Sequence, residues 1–150
     1  MRREQSGVSE ARRLAELAVH ACDPESRKAT DMLVTELAEN IVKYGAIESG
    51  VFAGTISIAL TGSVICVRAK NQVSRSEDAK AVEATIALIS AAPDVTTVYR
   101  ARLAALFANP KLPRAQLGLL RAAFEGGFRL SCSYENRTLE IEAERTFDPA

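Results

Sequence analysis

The stretch DPESRKATDMLVTELAENIVKYG, residues 23–45, decides the fold of this chain. It opens with signals typical of a helix start. Asp23 is a favourable N-cap, Pro24 suits the first helical position, and Glu25 meets the positive end of the helix dipole. Gly45 offers the left-handed residue that often ends a helix. The sequence therefore predicts one long helix between these two sets of signals.

Apolar residues recur along this helix at steps of three and four, so they form one stripe that should face the core: Leu33, Leu37, Ile41 and Tyr44. Glu36 and Asn40, four residues apart, project at the edge of that stripe. An unpartnered polar group there costs about 1–3 kcal/mol, so both side chains need a partner. Two interpretations stay open. The pair reaches water or caps a neighbouring loop, or it holds a metal ion or a water in a ligand site.

Composition limits the class of protein. A chain of 150 residues suits one domain, residues 1–150, with frayed ends expected at 1–8 and 147–150. A formal net charge of zero argues against a nucleic-acid partner, and no apolar run approaches the ~20 residues of a membrane span. The three cysteines are an odd number at wide spacing, which fits reduced thiols in a cytoplasmic protein better than disulfides or zinc.

Hydrophobic periodicity predicts the remaining elements. A first helix is expected from Ser9 to about Ala21, with Leu14, Leu17 and Ala18 as its buried stripe. Two alternating patterns, at 51–69 and 128–143, predict β-hairpins, and the helices predicted between them lie at 76–91, 95–108 and 117–125. The two hairpins should join in one antiparallel or mixed sheet of about four to five strands with the helices on one face. The fold class is thus an α/β (α+β) two-layer sandwich.

The motif Glu36-Leu-Ala-Glu-Asn40-Ile-Val-Lys43-Tyr-Gly resembles the N-box of the GHKL ATPase superfamily, which includes gyrase, Hsp90, MutL, histidine kinases and anti-sigma-factor serine kinases. The order of elements is similar over nearly the whole chain, which implies the Bergerat-like GHKL fold. The resemblance also implies that Glu36 is the catalytic base, that Asn40 holds Mg²⁺ on the phosphates of ATP, and that Lys43 lies near those phosphates. Mg²⁺ prefers oxygen ligands, and the four-residue spacing puts base and metal ligand on one helix face.

Two further GHKL motifs are degenerate here. Where the family has the adenine-binding D-x-G-x-G, this chain has Asn71 and no following glycine; Asn71 either accepts from adenine through its carbonyl oxygen or simply ends the strand. Where the family has G-x-G-L at a helix N-terminus facing the phosphates, this chain keeps only Gly118. Arg114 would add a positive charge to that phosphate site, or is a surface arginine.

With these departures the chain is similar to the SiaB-type branch of bacterial protein kinases, in which a helical insert, here 76–108, replaces the lid. The resemblance implies serine/threonine phosphoryl transfer to a small STAS-type partner in a partner-switching pathway. A degenerate GHKL domain that no longer turns over ATP and binds proteins is the first alternative. An unrelated α/β protein, whose own groups satisfy Glu36 and Asn40, is the second. The insert packs on the domain or pairs with a second copy in a homodimer.

Overall fold

The structure, a computed structural model, describes residues 2–44, 47–48, 51–52, 54–91, 94–111 and 117–149; for 2–6, 44, 47–48 and 51–52 only the backbone is described. Within these ranges the helices are α1 (Arg2–Ala18), α2 (Pro24–Tyr44), α3 (Ser76–Ala91), α4 (Val95–Ala108) and α5 (Leu117–Phe124). The strands are β1 (Ile47–Glu48), β2 (Val51–Phe52), β3 (Gly54–Thr61), β4 (Val64–Gln72), β5 (Arg129–Glu135) and β6 (Thr138–Thr146).

The two predicted hairpins form one antiparallel sheet with the strand order β3-β4-β6-β5, because β4 pairs with β6 and sets Ala69 opposite Ile141. Strands β1 and β2 form a separate pair. The turn between β5 and β6 has left-handed φ values at Asn136 (52°) and Arg137 (62°), which is the type I′ geometry that matches strand twist. An α+β fold with one four-stranded antiparallel sheet is therefore confirmed.

Alternate residues of the two central strands separate a buried face from an exposed one. The buried set comprises Ile65, Val67, Ala69, Leu139, Ile141 and Ala143. It joins the apolar stripe of α2, in which Leu33 and Leu37 are fully buried, in a single hydrophobic core. The opposite face carries charged side chains, among them Arg68, which pairs with Glu140 and Glu142. This burial pattern is compatible with a two-layer sandwich.

Asp23 caps α2 as the sequence predicts. The backbone N–H of Ser26 donates to Oδ2 of Asp23 at 3.0 Å, and the N–H of Asp148 donates to Oδ1 at the same distance. The backbone N–H of Asp23 in turn donates to the carbonyl of Asp148 at 2.9 Å. Residues near the C-terminus, expected to be a frayed tail, thus fix the start of α2, and Phe147 adds a hydrogen bond to the carbonyl of Ser63.

These hydrogen bonds predict a pH-dependent contribution to stability. Those from Ser26 stabilise the carboxylate and lower the pKa of Asp23 from 3.8 to about 2. Because the folded-state pKa is the lower one, the contribution is present above about pH 4 and is lost as the pH falls towards 2. We expect wild type to exceed Asp23→Asn in urea midpoint at neutral pH, and the difference to shrink across that window. A difference independent of pH would contradict this assignment.

The prediction for the buried face of α1 was wrong. Leu14 and Leu17 are exposed (59% and 66%), whereas Ala15 and Val19 are buried. Ala15 and Val19 belong to the same core cluster as Leu33 of α2, so this side of α1 is the one that packs on the domain. Arg12 pairs bidentately with Asp31 of α2 at 3.0 and 3.1 Å, and because both side chains are about half exposed this pair adds little to the packing. Helix α1 also begins well before Ser9 and ends earlier than expected.

Helices α3 and α4 occupy the predicted insert, 76–108. Helix α3 packs on β5 and α5, with Ala79, Val82 and Ile86 buried. Helix α4 rests on α5, where the rings of Tyr99 and Phe124 stack with centroids 4.7 Å apart. The insert therefore packs on the domain, and the homodimer stays a prediction. Within the described ranges, none of the helices has both the length and the apolarity that crossing a membrane requires.

Candidate functional site

The carboxylate of Glu36 lies directly against Gly118, the second residue of α5. A Cβ atom placed on Gly118 would collide with the carboxylate carbon and both carboxylate oxygens of Glu36. The space that a side chain at position 118 would need is therefore filled by the end of a side chain from α2. Two residues predicted from separate motifs are thus brought into contact, although nothing in the sequence specifies that contact.

Burial raises the pKa of Glu36. The side chain is half-buried, and desolvation is the largest cause that raises the pKa of Glu36, followed by the nearby charge of Glu39. Lys43 and Arg121 act in the opposite direction and lower the same pKa. Lys43 is exposed on the last turn of α2. A carboxylate whose pKa is raised is a stronger base than an ordinary surface glutamate.

Asn40 lies one helical turn further on, at a narrow cavity between α2, α3 and the sheet. Its Nδ2 atom is buried and has no hydrogen-bond partner within the described ranges. The cavity volume is about 10 Å³, which is room for about one water molecule. Its lining residues are Leu37, Asn40, Ile41, Ala69, Asn71, Val73, Asp78, Val82, Leu139 and Ile141.

Asn71 is buried at the end of β4, on the other side of this cavity, and is 9% exposed. Its Nδ2 donates to the carbonyl of Gln72 at 3.1 Å, so the oxygen Oδ1 is the group that it offers as an acceptor. Gly54 pairs with Asn71 across the sheet, and a Cβ atom on Gly54 would lie 2.7 Å from Cγ2 of Ile41. That glycine therefore lets α2 approach the sheet closely beside the cavity.

The predicted site residues thus form two groups. Glu36 contacts Gly118, and the charge of Lys43 acts on Glu36; Asn40 and Asn71 line one cavity. Arg114 lies outside the described residues.

Sequence reasoning missed Asp78, an acid in the first turn of α3 that lines the same cavity. In the sequence Asp78 is indistinguishable from an ordinary helix-opening acid. No local pattern marks it as a cavity residue, because its place depends on how α3 packs beside the end of β4.

The arrangement combines a half-buried carboxylate with a small set of polar groups in apolar walls. The unpartnered donor on Asn40 fits an acceptor atom of a ligand or a water, and the oxygens of Asn71 and Asp78 fit donors. A volume of one water is too small for a nucleotide base, so α2 and α3 would have to separate for such a ligand to enter.

A second cluster of candidate ligand atoms lies on the outer face of the sheet. In the described part of the chain, Cys66, Glu142 and Glu144 place their ligand atoms within 4.8 Å of one another. Glu142 is already engaged there, because Nη2 of Arg68 lies 3.3 Å from its Oε2. Burial and the charge of Glu142 raise the pKa of the Cys66 thiol, which disfavours the thiolate that metals bind. We assign no metal to this cluster.

Comparison with known proteins adds no family. No protein-family model matches the chain, and no curated protein matches it.

Proposed function

We propose that this chain is a nucleotide-binding regulator of the GHKL type, which transfers a phosphoryl group from ATP to a serine or threonine of a small STAS-type partner. The single observation that carries the proposal is the Nδ2 atom of Asn40, a buried donor that the described protein does not satisfy. A native fold leaves such an atom unpaired at a cost of about 1–3 kcal/mol, which calls for an acceptor atom, from a water or a ligand, in the adjoining cavity. It also disfavours the alternative in which Asn40 is satisfied by the protein itself.

The residues fit magnesium and phosphate in chemical type. Asn40 would give its amide oxygen to Mg²⁺, which needs only one or two protein oxygens beside phosphates and waters. Lys43, and Arg114 outside the described residues, would neutralise phosphate charge. Gly118 would offer the backbone of the first turn of α5 to a phosphate only if the carboxylate of Glu36, which lies against it, moved away. Bound Mg-ATP would supply the γ-phosphoryl group. Asn71 would accept a hydrogen bond from the base.

Glu36 would act as the base towards the hydroxyl group of the partner. Its burial supports this role, because desolvation raises its pKa in the direction that strengthens proton abstraction at neutral pH. The protein would act in the cytoplasm, where ATP is available and free thiols such as Cys22, Cys66 and Cys132 stay reduced. Phosphorylation would add about −1.5 to −2 charges to the partner and change its binding.

The volume of the cavity favours the alternative function, a GHKL-like domain that binds proteins without turning over ATP. The cavity lined by Asn40 and Asn71 has room for one water and is too small for a nucleotide base. In that case the STAS-type partner would bind in the absence of nucleotide, and Glu36 and Gly118 would serve α2–α5 packing alone.

Thermal unfolding with Mg-ATP distinguishes the two functions. At a hundred times Kd a ligand adds about 2.7 kcal/mol, so we expect Tm to rise by roughly 5–10 °C. Asn40→Ala should remove the part of the shift that depends on Mg²⁺, and AMP should give a smaller shift. No shift at millimolar Mg-ATP, together with calorimetric binding of a STAS-type protein, would establish the alternative.

A transfer assay tests the role of Glu36. With radiolabelled Mg-ATP and a purified STAS-type protein, Glu36→Gln should lower phosphoryl transfer by about a hundredfold or more and spare nucleotide binding. Glu10→Gln is the control, because Glu10 is an exposed glutamate on α1, whereas the charges that act on Glu36 are those of Glu39, Lys43 and Arg121; this variant should transfer at the wild-type rate. Equal rates for both variants would remove Glu36 as the base.

A further inference from the structure

The contact with Gly118 restricts the side-chain conformation of Glu36. A glutamate side chain on a helix surface has several rotatable bonds and normally samples solvent. The carboxylate of Glu36 occupies the space that a side chain at position 118 would fill. The position of α5 therefore restricts where this carboxylate can lie. Helix α5 is itself held on α2 and α3, and its second residue therefore has a fixed position relative to α2.

We propose that Gly118 is a positioning residue for Glu36, because its bare Cα lets the carboxylate lie in the groove between α2 and α5 instead of turning out to solvent. This assigns Gly118 a role other than phosphate binding. That the positioned group is a base rests on the function proposed above; that the carboxylate lies in the groove because position 118 is glycine does not.

Helix propensity alone predicts that replacing Gly118 by alanine stabilises the protein, whereas the contact with Glu36 predicts that it destabilises the protein. Gly118 lies within α5 and is not among the glycines with positive φ, so alanine suits its backbone conformation. A Gly→Ala change inside a helix normally raises Tm, by about 2–4 °C in a domain of this size. Gly7→Ala in α1 provides the matched control, since nothing lies within 4 Å of the added methyl group there.

The test is a cycle of Gly118→Ala, Glu36→Ala and the double variant, measured by thermal unfolding beside Gly7→Ala. We expect Gly118→Ala to lower Tm by about 5 °C, and the same change in the Glu36→Ala background to leave Tm unchanged or higher. If Gly118→Ala alone does not fold, folding of the double variant supports the proposal. A fall of Tm equal in both backgrounds, or a double variant that does not fold, overturns it.

A second readout separates positioning from packing. In a carboxyl-detected NMR titration, Gly118→Ala should shift the apparent pKa of Glu36 down towards that of an exposed glutamate, because the side chain returns to solvent. The charged groups that act on Glu36, namely Glu39, Lys43 and Arg121, remain in place in both proteins. An unchanged Glu36 titration overturns the proposal. Failure of Mg-ATP to bind either protein would refute the proposed function and leave this positioning standing.

Discussion

Leu33→Ala is expected to lower the free energy of unfolding by about 2–5 kcal/mol. Leu33 is fully buried at the centre of α2, where the helix meets the sheet, so truncation removes apolar contacts and leaves a cavity that this packing cannot fill. For a domain of 150 residues the loss corresponds to a fall in Tm of roughly 5–15 °C. Urea titration monitored by circular dichroism measures it.

Leu17→Ala is the matched control, since it deletes the same atoms from a neighbouring helix. Leu17 is 66% exposed, so its truncation should change the free energy of unfolding by no more than about 0.5 kcal/mol. Comparable losses for Leu17→Ala and Leu33→Ala would contradict the placement of α1, and would return Leu17 to the buried face that the sequence predicts for it.

The elements that could be predicted from the sequence are those fixed by local chemistry. Asp23 and Pro24 fixed the start of α2, because a cap and a restricted φ act within a few residues. The glycine pair Gly126-Gly127 ends α5 by the same kind of local chemistry: Gly127 has φ +67°, and the N–H of Phe128 donates back to the carbonyl of Ala122. The alternation of apolar and polar residues predicted both hairpins, because this pattern too is local in sequence.

The buried face of α1 could not be derived in this way. A helix with leucines on one side and alanines on the other offers two candidate stripes, and size alone selects the wrong one. The choice depends on the partner helix, here through the packing of Ala15 and Val19 into the core cluster that contains Leu33 of α2. Such information is tertiary, so no window along α1 contains it.

In the candidate site too, relations within one helix could be predicted from the sequence and contacts between elements could not. The spacing of Glu36 and Asn40 correctly placed both at the edge of the core, because one helical turn is a local relation. The contact of Glu36 with Gly118 depends on how α5 packs on α2, and the two residues are 82 positions apart in the sequence. The presence of Asp78 at the cavity depends in turn on where α3 begins relative to β4. The sequence therefore did not predict how these elements pack against one another.

Arg145→Met is expected to lower the free energy of unfolding by about 2–3 kcal/mol, because one side chain ties three parts of the fold together. From the end of β6, its Nε donates to Oγ of the buried Ser26 at 3.3 Å, and its Nη1 donates to the carbonyl of Gly126 after α5. Nη2 also lies 3.9 Å from the carboxylate of Glu25. The side chain of Arg145 is 15% exposed, so methionine would leave the hydroxyl and the carbonyl without their donor.

Arg68→Met on the neighbouring strand β4 is the control for this change. Arg68 also pairs with two partners, Glu140 and Glu142, but its side chain is 51% exposed and water replaces what it loses. Exposed ion pairs contribute about 0–1 kcal/mol, so we expect a small effect that disappears in high salt. Hydrogen exchange locates the difference: Arg145→Met should release protection at the start of α2 and the end of α5, and Arg68→Met at neither. Equal losses in both variants would show that Arg145 acts only as a surface charge.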